Sequence, residues 1–346
     1  MLKVSLIGVG NWGWNHLRTW ATLDDVTLQW VCDLSEERLQ RAVQAFPTIQ
    51  TTTDVEQALE GVDAVVIATS SSAHYRLVKK ALEKGLHVFV EKPMTHSLEQ
   101  AIELVALAEQ KQRIFMVGHL LLYHPAIVKL KELVDRGELG DILYLYSRRL
   151  NLGRIRTDEN VVLSLAPHDV SISNFLLGRK PIRVTATGWS YVTDSIEDVA
   201  FITVEYEDRR VAHFHISWLD PRKVRSLVLV GSEKMAVFDD MEPEEKLKVY
   251  DKGILRDPFQ AVELPPGVIA VRYGDIFAPR VPFKEPLREE AKHFVECIQE
   301  GKRPRTDGYS GLEVMAVLEA AFQSIRQGGV PVEVPSWSVP SSTKGR

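Results

Sequence analysis

Residues 4–13 read VSLIGVGNWG, a short apolar strand pattern that runs straight into a glycine-rich turn. In this G-x-G-x-x-G arrangement Gly8 permits a tight turn, Gly10 lets a phosphate approach the backbone, and Gly13 lets the next helix pack closely on the strand. The amino end of that helix would face the phosphates. The segment therefore predicts a Rossmann-type domain that binds a dinucleotide.

A carboxylate follows at the distance that this fingerprint requires. The pattern of residues 27–32 predicts the second strand, and Asp33 comes directly after it, about 20 residues beyond the glycines. A carboxylate there accepts hydrogen bonds from the adenosine ribose hydroxyls and repels a 2′-phosphate. No arginine follows Asp33 directly, so we expect NAD to be preferred over NADP.

Further cofactor contacts are expected around the glycine-rich turn and the ends of the later strands. They are Asn11, Trp12, Thr69, Ser70, His74, Glu91 and Lys92. For Thr69 and Ser70 an alternative is nearly as good, because both could simply cap the helix that follows.

Strand and helix patterns alternate through the first third of the chain, which predicts a parallel sheet with right-handed crossovers. After about Gly118 one helix pattern at 125–136 is followed by six strand patterns with short connections between 143 and 238. Such an order is typical of a mostly antiparallel sheet. Two further helices are expected near 287–300 and 309–326.

We therefore expect an α/β protein with two domains. Residues 1–120 would form the NAD-binding Rossmann domain. Residues 121–335 would form an α+β domain with a large open, mostly antiparallel sheet for substrate and subunit contacts. Residues 336–346 would form a flexible tail.

The composition narrows the class of protein. The 346 residues are 45% apolar and 26% charged, which suits a globular protein with a full-sized core, and the net charge of −5 offers no basic field for nucleic acid. Cys32 and Cys297 stand far apart and outside any C-x-x-C pair, so we expect no disulfide framework and no metal site. The absence of a membrane-length apolar stretch and of a signal peptide pattern predicts a cytoplasmic protein.

The tripeptide Glu91-Lys92-Pro93 places a cation at the carboxyl end of a predicted parallel strand. Proline fixes its own φ and favours an extended conformation at the residue before it, so Lys92 is restrained. Ligands bind outside the carboxyl ends of such strands in open α/β sheets. Taken by itself the tripeptide is better explained as a surface turn, but together with the glycine fingerprint it marks Lys92 as a candidate catalytic residue.

The segment Ser164-Leu165-Ala166-Pro167-His168-Asp169 is expected to open a helix, with His168 at its start. Imidazole titrates near neutrality, so His168 could accept the proton of an alcohol while hydride leaves the same carbon. A capping or core histidine is the alternative. The glycine fingerprint and Lys92 favour the catalytic interpretation.

These three motifs, in this order and spacing, resemble the Gfo/Idh/MocA family of NAD(P)-dependent sugar oxidoreductases over nearly the whole chain. A finer resemblance to the members that act on nucleotide sugars in surface-polysaccharide synthesis rests on residues 118–125, 150–160 and 217–221. Those members include UDP-N-acetylglucosamine and UDP-N-acetylglucosaminuronate 3-dehydrogenases.

The resemblance implies roles for the candidate residues. Lys92 would contact the nicotinamide ribose and the substrate hydroxyl, and His168 would be the general base. Family members usually carry an aspartate four residues before the histidine, but here that position is Ser164, which we also count among the substrate contacts. Serine can orient an imidazole but cannot offset its charge, so catalysis could be slower, altered or lost. Asp169 is not expected to substitute.

An arginine-rich stretch precedes the His168 segment and could clamp an anion, because arginine binds phosphate or carboxylate in bidentate fashion. The candidate substrate ligands there are Arg148, Arg154 and Arg156. A solvated strand face is the alternative, which we expect for Arg149. Asn160 is a further candidate substrate contact, and Tyr123 is another, although packing explains Tyr123 about equally well.

The sequence thus predicts an NAD-dependent dehydrogenase that oxidises a secondary hydroxyl, at C3, of a UDP-linked amino sugar or its uronate. A homodimer or homotetramer through the open sheet is expected, since the resemblance implies it and exposed sheets that carry aromatic residues such as Trp189 invite such packing. One alternative is a non-catalytic NAD(H)-binding regulator whose site is degenerate at Ser164. Another is a dehydrogenase of a free polyol or hexose such as inositol.

Overall fold

The computed structural model describes residues 1–153, 155–157, 159–254 and 271–340. Its contacts divide the chain into two compact units. The first contains residues 1–123 and 284–316 together with the described residues from 336 on, and the second contains residues 124–283 and 317–335. The boundary between the two units at residues 123 and 124 lies close to the domain boundary expected near residue 120. Residues 284–316, expected in the second domain, belong instead to the first unit.

The helices follow most of the sequence patterns, but the helix at 55–58 was not predicted and the helix around His168 begins earlier than expected. They are α1 (Gly13–Trp20), α2 (Glu36–Ala45), α3 (Val55–Ala58), α4 (His74–Glu83), α5 (Leu98–Lys111), α6 (Pro125–Asp135), α7 (Val161–Leu177), α8 (Pro286–Glu300) and α9 (Gly308–Arg326). Short 3-10 turns lie at Ser71–Ala73, Leu120–Tyr123 and Glu207–Arg209.

The strands of the first unit are β1 (Leu2–Ile7), β2 (Val26–Cys32), β3 (Gln50–Thr52), β4 (Ala64–Ile67), β5 (His87–Glu91) and β6 (Phe115–Gly118). Those of the second are β7 (Ile142–Leu150), β8 (Pro181–Trp189), β9 (Val199–Tyr206), β10 (Val211–Ser217), β11 (Val224–Gly231), β12 (Met235–Asp239), β13 (Leu247–Ile254), β14 (Val271–Phe277) and β15 (Val332–Glu333).

The first unit is built on a parallel six-stranded sheet with the order β3-β2-β1-β4-β5-β6. All residues of β4 and β6 are buried, as in a sheet covered on both faces. Helix α8 joins this core through Phe294, whose ring packs edge-on against Trp20 and Phe89 at centroid distances of 6.1 and 5.9 Å. This aromatic contact explains why residues 284–316 belong to the first unit.

The second unit is built on a nine-stranded sheet with the order β14-β13-β12-β11-β7-β10-β9-β8-β15. Only the β7–β10 pair is parallel among these described pairings. Helix α7 packs on β7, β9 and β10, where it covers buried residues such as Phe214 and Ile216. The opposite face exposes Tyr144 and Tyr146. The predicted fold class is confirmed, although β13, β14 and β15 were not predicted.

Within the described ranges, no helix combines the length and the apolar character that a membrane-spanning helix needs.

Candidate active site

The glycine-rich turn after β1 has the shape of a phosphate cradle. Gly8 has φ +95°, and a Cβ there would lie 2.7 Å from the Ala68 carbonyl oxygen. A Cβ on Gly13 would lie 2.1 Å from the Gly8 carbonyl oxygen, so both positions require glycine. A Cβ on Gly10 would instead enter open space, with Arg38 Nη1 nearest at 3.8 Å. No side chain caps α1, so this loop fits a dinucleotide pyrophosphate.

Asp33 directly follows β2, as predicted, and its side chain is 8% exposed. Its Oδ2 accepts a hydrogen bond from the Val9 N–H at 2.8 Å, and its Oδ1 accepts one from the Ser35 N–H at 2.9 Å. The carboxylate thereby joins the end of β2 to the glycine-rich turn. Arg38 Nη1 lies 3.5 Å from Oδ1.

Arg38 was not predicted as a neighbour of Asp33, because an arginine was expected only at the position directly after the aspartate. Ser35 caps α2 by accepting a hydrogen bond from the Arg38 N–H at 3.4 Å. This capped first turn brings the guanidinium back over the loop. A serine that can cap a helix, followed three residues later by an arginine, is the local signal for Arg38.

The predicted contacts near β4 divide into exposed and buried residues. Asn11, Trp12 and Ser70 are exposed and Thr69 is half-buried. His74 is buried: its Nδ1 lies 2.8 Å from the Pro93 carbonyl oxygen and its Nε2 lies 3.3 Å from that of Thr69. Both ring nitrogens thus face backbone carbonyls, and the cofactor contact expected for His74 stays a prediction. Burial lowers the pKa of His74, and the neutral ring supports the turn that contains Pro93.

Lys92 stands at the carboxyl end of β5, half-buried, and the Lys92–Pro93 peptide bond is cis. The neighbouring Glu91 is 7% exposed, and its Oε1 accepts hydrogen bonds from Trp12 Nε1 at 2.7 Å and His16 Nε2 at 2.8 Å. Its carboxylate therefore has donors within the protein, and the direct cofactor contact expected for Glu91 stays a prediction.

Two further buried ionisable groups lie near Glu91, and sequence reasoning missed both. Burial lowers the pKa of His119 to about 4, although the charge of Glu91 opposes this shift. Burial and the charge of Glu91 raise the pKa of Glu290 well above its usual value. Among the described residues neither side chain has a hydrogen-bond partner. The signal for Glu290 was a carboxylate at an apolar position of α8, between Leu287 and Phe294.

His168 lies in the middle of α7 and not at a helix start, so that expectation was wrong. The true cap is Asn160, whose Oδ1 accepts a hydrogen bond from the Leu163 N–H at 3.0 Å. Pro167 lies inside the helix and removes the bond to the Leu163 carbonyl. Ser164 is buried and lies one helical turn before His168, on the same face.

The arginine-rich strand β7 is arranged differently from the prediction. Arg149, expected on a solvated face, instead faces α7 and binds Asp169 in bidentate fashion, with Nε–Oδ2 and Nη2–Oδ1 distances of 2.8 and 3.1 Å. Asp169 is 1% exposed. Arg148 is exposed on the opposite face of the sheet, paired in register with His215. Because neighbouring strand residues point to opposite faces, Arg148 does not point toward α7, and its substrate contact stays a prediction.

The other predicted substrate contacts have protein partners. Arg156 pairs with buried Glu159 at 2.5 Å, and Asn160 Nδ2 donates to Glu197 Oε2 at 2.6 Å. Tyr123 is buried in the first unit with its hydroxyl 3.3 Å from Thr306 Oγ1, which favours the packing interpretation over a sugar contact. Arg154 lies outside the described residues.

Comparison with known protein families follows the same division of the chain. Residues 2–119 match the Gfo/Idh/MocA oxidoreductase family model, described as an NAD-binding Rossmann fold. Residues 127–237 match the Gfo/Idh/MocA C-terminal domain. Together these matches cover well over half of the chain. The chain belongs to the Gfo/Idh/MocA oxidoreductase family.

Several curated members of the Gfo/Idh/MocA family are similar over almost their whole length. UDP-N-acetylglucosamine 3-dehydrogenase from Acidithiobacillus ferrooxidans is 27% identical over 91% of this chain and 94% of its own. Its solved structure has a TM-score of 0.81 at 26% identity, covering 94% of this chain and 98% of that one.

Other relatives act on different small molecules. D-apiose dehydrogenase from Paraburkholderia graminis is 28% identical over 94% of this chain and 88% of its own. The NAD-dependent scyllo-inositol 2-dehydrogenase from Bacillus subtilis is 25% identical over 96% of both chains. This member of the Gfo/Idh/MocA family is thus an oxidoreductase with an NAD-binding Rossmann domain, and the three relatives named above are sugar and polyol dehydrogenases.

Proposed function

We propose that the protein oxidises a secondary hydroxyl of a sugar with NAD, and that Lys92 and His168 carry the reaction. The observation that carries this proposal is the placement of Lys92 at the carboxyl end of β5, beside a carboxylate that also binds Trp12 of the open glycine-rich turn. A lysine so placed lies at the sheet edge where the cofactor binds in this fold.

Each residue has a chemical task in this proposal. When bound, NAD supplies the acceptor for the hydride. Lys92 donates a hydrogen bond to the reacting hydroxyl and orients it, and His168 removes the hydroxyl proton. Ser164, one turn before His168, can orient the imidazole through its hydroxyl without adding charge.

We propose a UDP-linked amino sugar or its uronate as the substrate, with oxidation at C3. The similarity to UDP-N-acetylglucosamine 3-dehydrogenase over 91% of the chain supports this choice. The arginines of segment 148–160 support it less than expected, because Arg156 is paired with Glu159 and Arg148 lies on the face of the sheet opposite α7. The similarity to scyllo-inositol 2-dehydrogenase keeps a free polyol as the second candidate.

A single assay separates these candidates. Purified protein and NAD are mixed in parallel with UDP-N-acetylglucosamine, UDP-N-acetylglucosaminuronate, myo-inositol and glucose, and reduced nicotinamide is measured by absorbance. Reduction with a UDP-sugar alone is the expected result. Reduction with inositol or glucose alone would transfer the assignment to a free polyol or hexose.

A third candidate is a non-catalytic NAD(H)-binding regulator, and Ser164 is the observation that favours it. The variant Ser164→Asp tests this candidate, because an aspartate one turn before His168 could offset the imidazolium charge. If the parent protein binds NAD but reduces none with any sugar, and Ser164→Asp gains turnover, the natural site is degenerate. A parent rate at least equal to that of the variant favours the enzyme.

We propose that NAD is preferred over NADP because Asp33 would repel a 2′-phosphate. Arg38, 3.5 Å from Asp33, works against this preference, since an arginine can bind such a phosphate. The affinities of the parent and of Asp33→Ser for NAD and NADP, measured by titration, test which of these two opposing effects is larger. The parent should bind NAD more tightly, and Asp33→Ser should shift the preference toward NADP.

We also propose that the open face of the nine-stranded sheet packs against a second copy of the chain. Exposed aromatic residues on it, such as Tyr144 and Tyr146 with ring centroids 6.4 Å apart, support this. Sedimentation velocity should give a dimer or tetramer for the parent. A double change of both tyrosines to glutamate should give smaller particles.

A further inference from the structure

The buried carboxylate of Glu91 accepts hydrogen bonds from three parts of the first unit. Glu91 Oε1 accepts hydrogen bonds from Trp12 in the glycine-rich turn and from His16 in α1. Glu91 Oε2 accepts the backbone N–H of Lys92 at 3.2 Å. The cofactor loop, the first helix and the backbone of the candidate catalytic lysine therefore share one side chain.

The proton on His16 can be assigned from its neighbours. Trp20 Nε1 can only donate a hydrogen bond, and it lies 3.3 Å from His16 Nδ1. Nδ1 is therefore the acceptor, which leaves the ring proton on Nε2, directed at Glu91. The imidazole acts here as a fixed donor between Trp20 and the carboxylate.

The surroundings keep Glu91 charged. Burial acts to raise the pKa of Glu91, but the hydrogen bonds from His16 and Trp12 and the charge of Lys92 outweigh it and hold the pKa below its usual range. Burial lowers the pKa of the neighbouring His119 to about 4, and burial together with the charge of Glu91 raises the pKa of the neighbouring Glu290, so the charged form is disfavoured at both.

The following strand leaves room for this carboxylate. A Cβ on Gly118 in β6 would lie 3.1 Å from both the carboxyl carbon and Oε1 of Glu91. Glycine at position 118 avoids this close contact. Strand β6 therefore leaves room for the Glu91 carboxylate, and the hydrogen-bond donors hold that carboxylate in place.

We propose that Glu91 is a positioning residue that couples the dinucleotide loop to Lys92. Through Oε1 it holds the loop at Trp12, and through Oε2 and its charge it holds Lys92. A change at the loop, including cofactor binding, is thereby transmitted to the lysine. This inference rests on the proposed role of Lys92, and its test uses measurements that do not depend on the sugar.

Glu91→Gln separates the two functions of the carboxylate. The glutamine oxygen can keep the bonds from Trp12 and His16, whereas its amide group removes the charge and faces the Lys92 N–H with a second donor. We expect thermal stability and NAD affinity to stay close to the parent, within about threefold for affinity, while kcat falls about 10- to 100-fold. The pH dependence of kcat should shift as well.

The sugar-independent measurement is the acetylation rate of the Lys92 amine, read by mass spectrometry after a brief pulse of acetic anhydride. Loss of the neighbouring negative charge should raise this rate several-fold in Glu91→Gln. Lys79, which pairs with Glu103 on the surface, serves as the internal reference and should not change. The parent should also show a different Lys92 rate with and without NAD.

Trp12→Phe tests the loop side of the coupling, with Trp14→Phe as its matched control. The Trp14 ring packs under Arg41 at 4.3 Å. Trp12→Phe should change the Lys92 acetylation rate in the parent background but not in Glu91→Gln, because transmission is already lost there. Trp14→Phe should leave the Lys92 rate unchanged in both backgrounds.

Two results would overturn the inference. One is a Lys92 acetylation rate and a kcat profile in Glu91→Gln that equal those of the parent. The other is a parallel loss of stability, NAD affinity and turnover, which would make Glu91 merely structural. A changed Lys92 rate in a protein that oxidises no sugar would instead remove the proposed function and leave the coupling intact.

Discussion

Lys92 in the first unit and His168 in the second are held by different kinds of structure. The turn of Lys92 is surrounded by buried polar groups: Glu91 with its donors, and His74 beneath the Pro93 carbonyl. Helix α7 is instead held by apolar packing on the sheet and by the Arg149–Asp169 ion pair next to His168. Hydrogen bonds restrict direction more strictly than apolar contacts do.

This difference predicts which properties of the protein a substitution near Lys92 or near His168 should change. The Lys92 turn depends on several hydrogen bonds that meet at one carboxylate, so single changes there should act on turnover more than on stability or NAD affinity. In α7 the ion pair sits one residue beyond His168, so changes there should act on stability and on the orientation of the helix face. The following variants test this contrast, from the largest expected effect to the smallest.

Lys92→Ala should have the largest effect. In the proposed mechanism Lys92 orients the reacting hydroxyl, so its removal should lower kcat about 1,000-fold or more, while NAD affinity stays within about threefold. Steady-state kinetics and NAD titration check this, with Lys79→Ala as an exposed control. Turnover equal to the parent in Lys92→Ala would remove Lys92 from the mechanism.

His168→Ala should lower kcat by a smaller factor, about 100-fold, because water can partly replace a general base. NAD affinity should not change, and the pH dependence of the remaining rate should become flatter. The double variant with Lys92→Ala should lose less than the product of the single losses if both residues serve one step. Fully multiplicative losses would contradict that shared step.

Arg149→Met should destabilise the second unit. It leaves Asp169 as a buried charge without its bidentate partner, at a cost of about 3 to 4 kcal/mol in the free energy of unfolding. Denaturant unfolding measures this, and the further change Asp169→Leu should recover most of the loss. If Arg149→Met alone is as stable as the parent, the Arg149–Asp169 ion pair contributes little to the free energy of unfolding.

His119→Gln should alter stability only in acid. Because burial lowers the folded pKa of His119 from 6.5 to about 4, the unfolded chain binds a proton there more readily between these values. Folding stability contributed by this residue is therefore complete above pH 6.5 and falls as the pH drops toward 4, by at most about 3 kcal/mol.

The check is the free energy of unfolding at several pH values for the parent, His119→Gln and the exposed control His96→Gln. The first variant should lose less stability than the parent between pH 6.5 and 4. Identical acid slopes in all three proteins would contradict a buried neutral His119.

Local patterns predicted most elements and the order of the candidate motifs. The glycine-rich turn, Asp33 after β2 and Lys92 after β5 stand where they were expected, since strand ends and turns are specified by neighbouring residues. The errors came from long-range choices. Segment 164–169 was expected to start a helix, but the cap is Asn160, four residues before that segment. Because side chains alternate in direction along a strand, Arg148 and Arg149 had to lie on opposite faces of β7, but the sequence did not show which face α7 covers.

By itself the sequence determined the two fold types, the dinucleotide fingerprint and the candidates Lys92 and His168, because these depend on residues close together along the chain. Tertiary structure decided that Glu91 binds Trp12 and His16, that Glu290 lies buried and unpaired among the described residues, and that Arg149 pairs with Asp169. These partners are 20 to 79 residues apart where they are bonded. A buried charge is positioned by whatever donors the folded chain brings to it, and no local pattern records that choice.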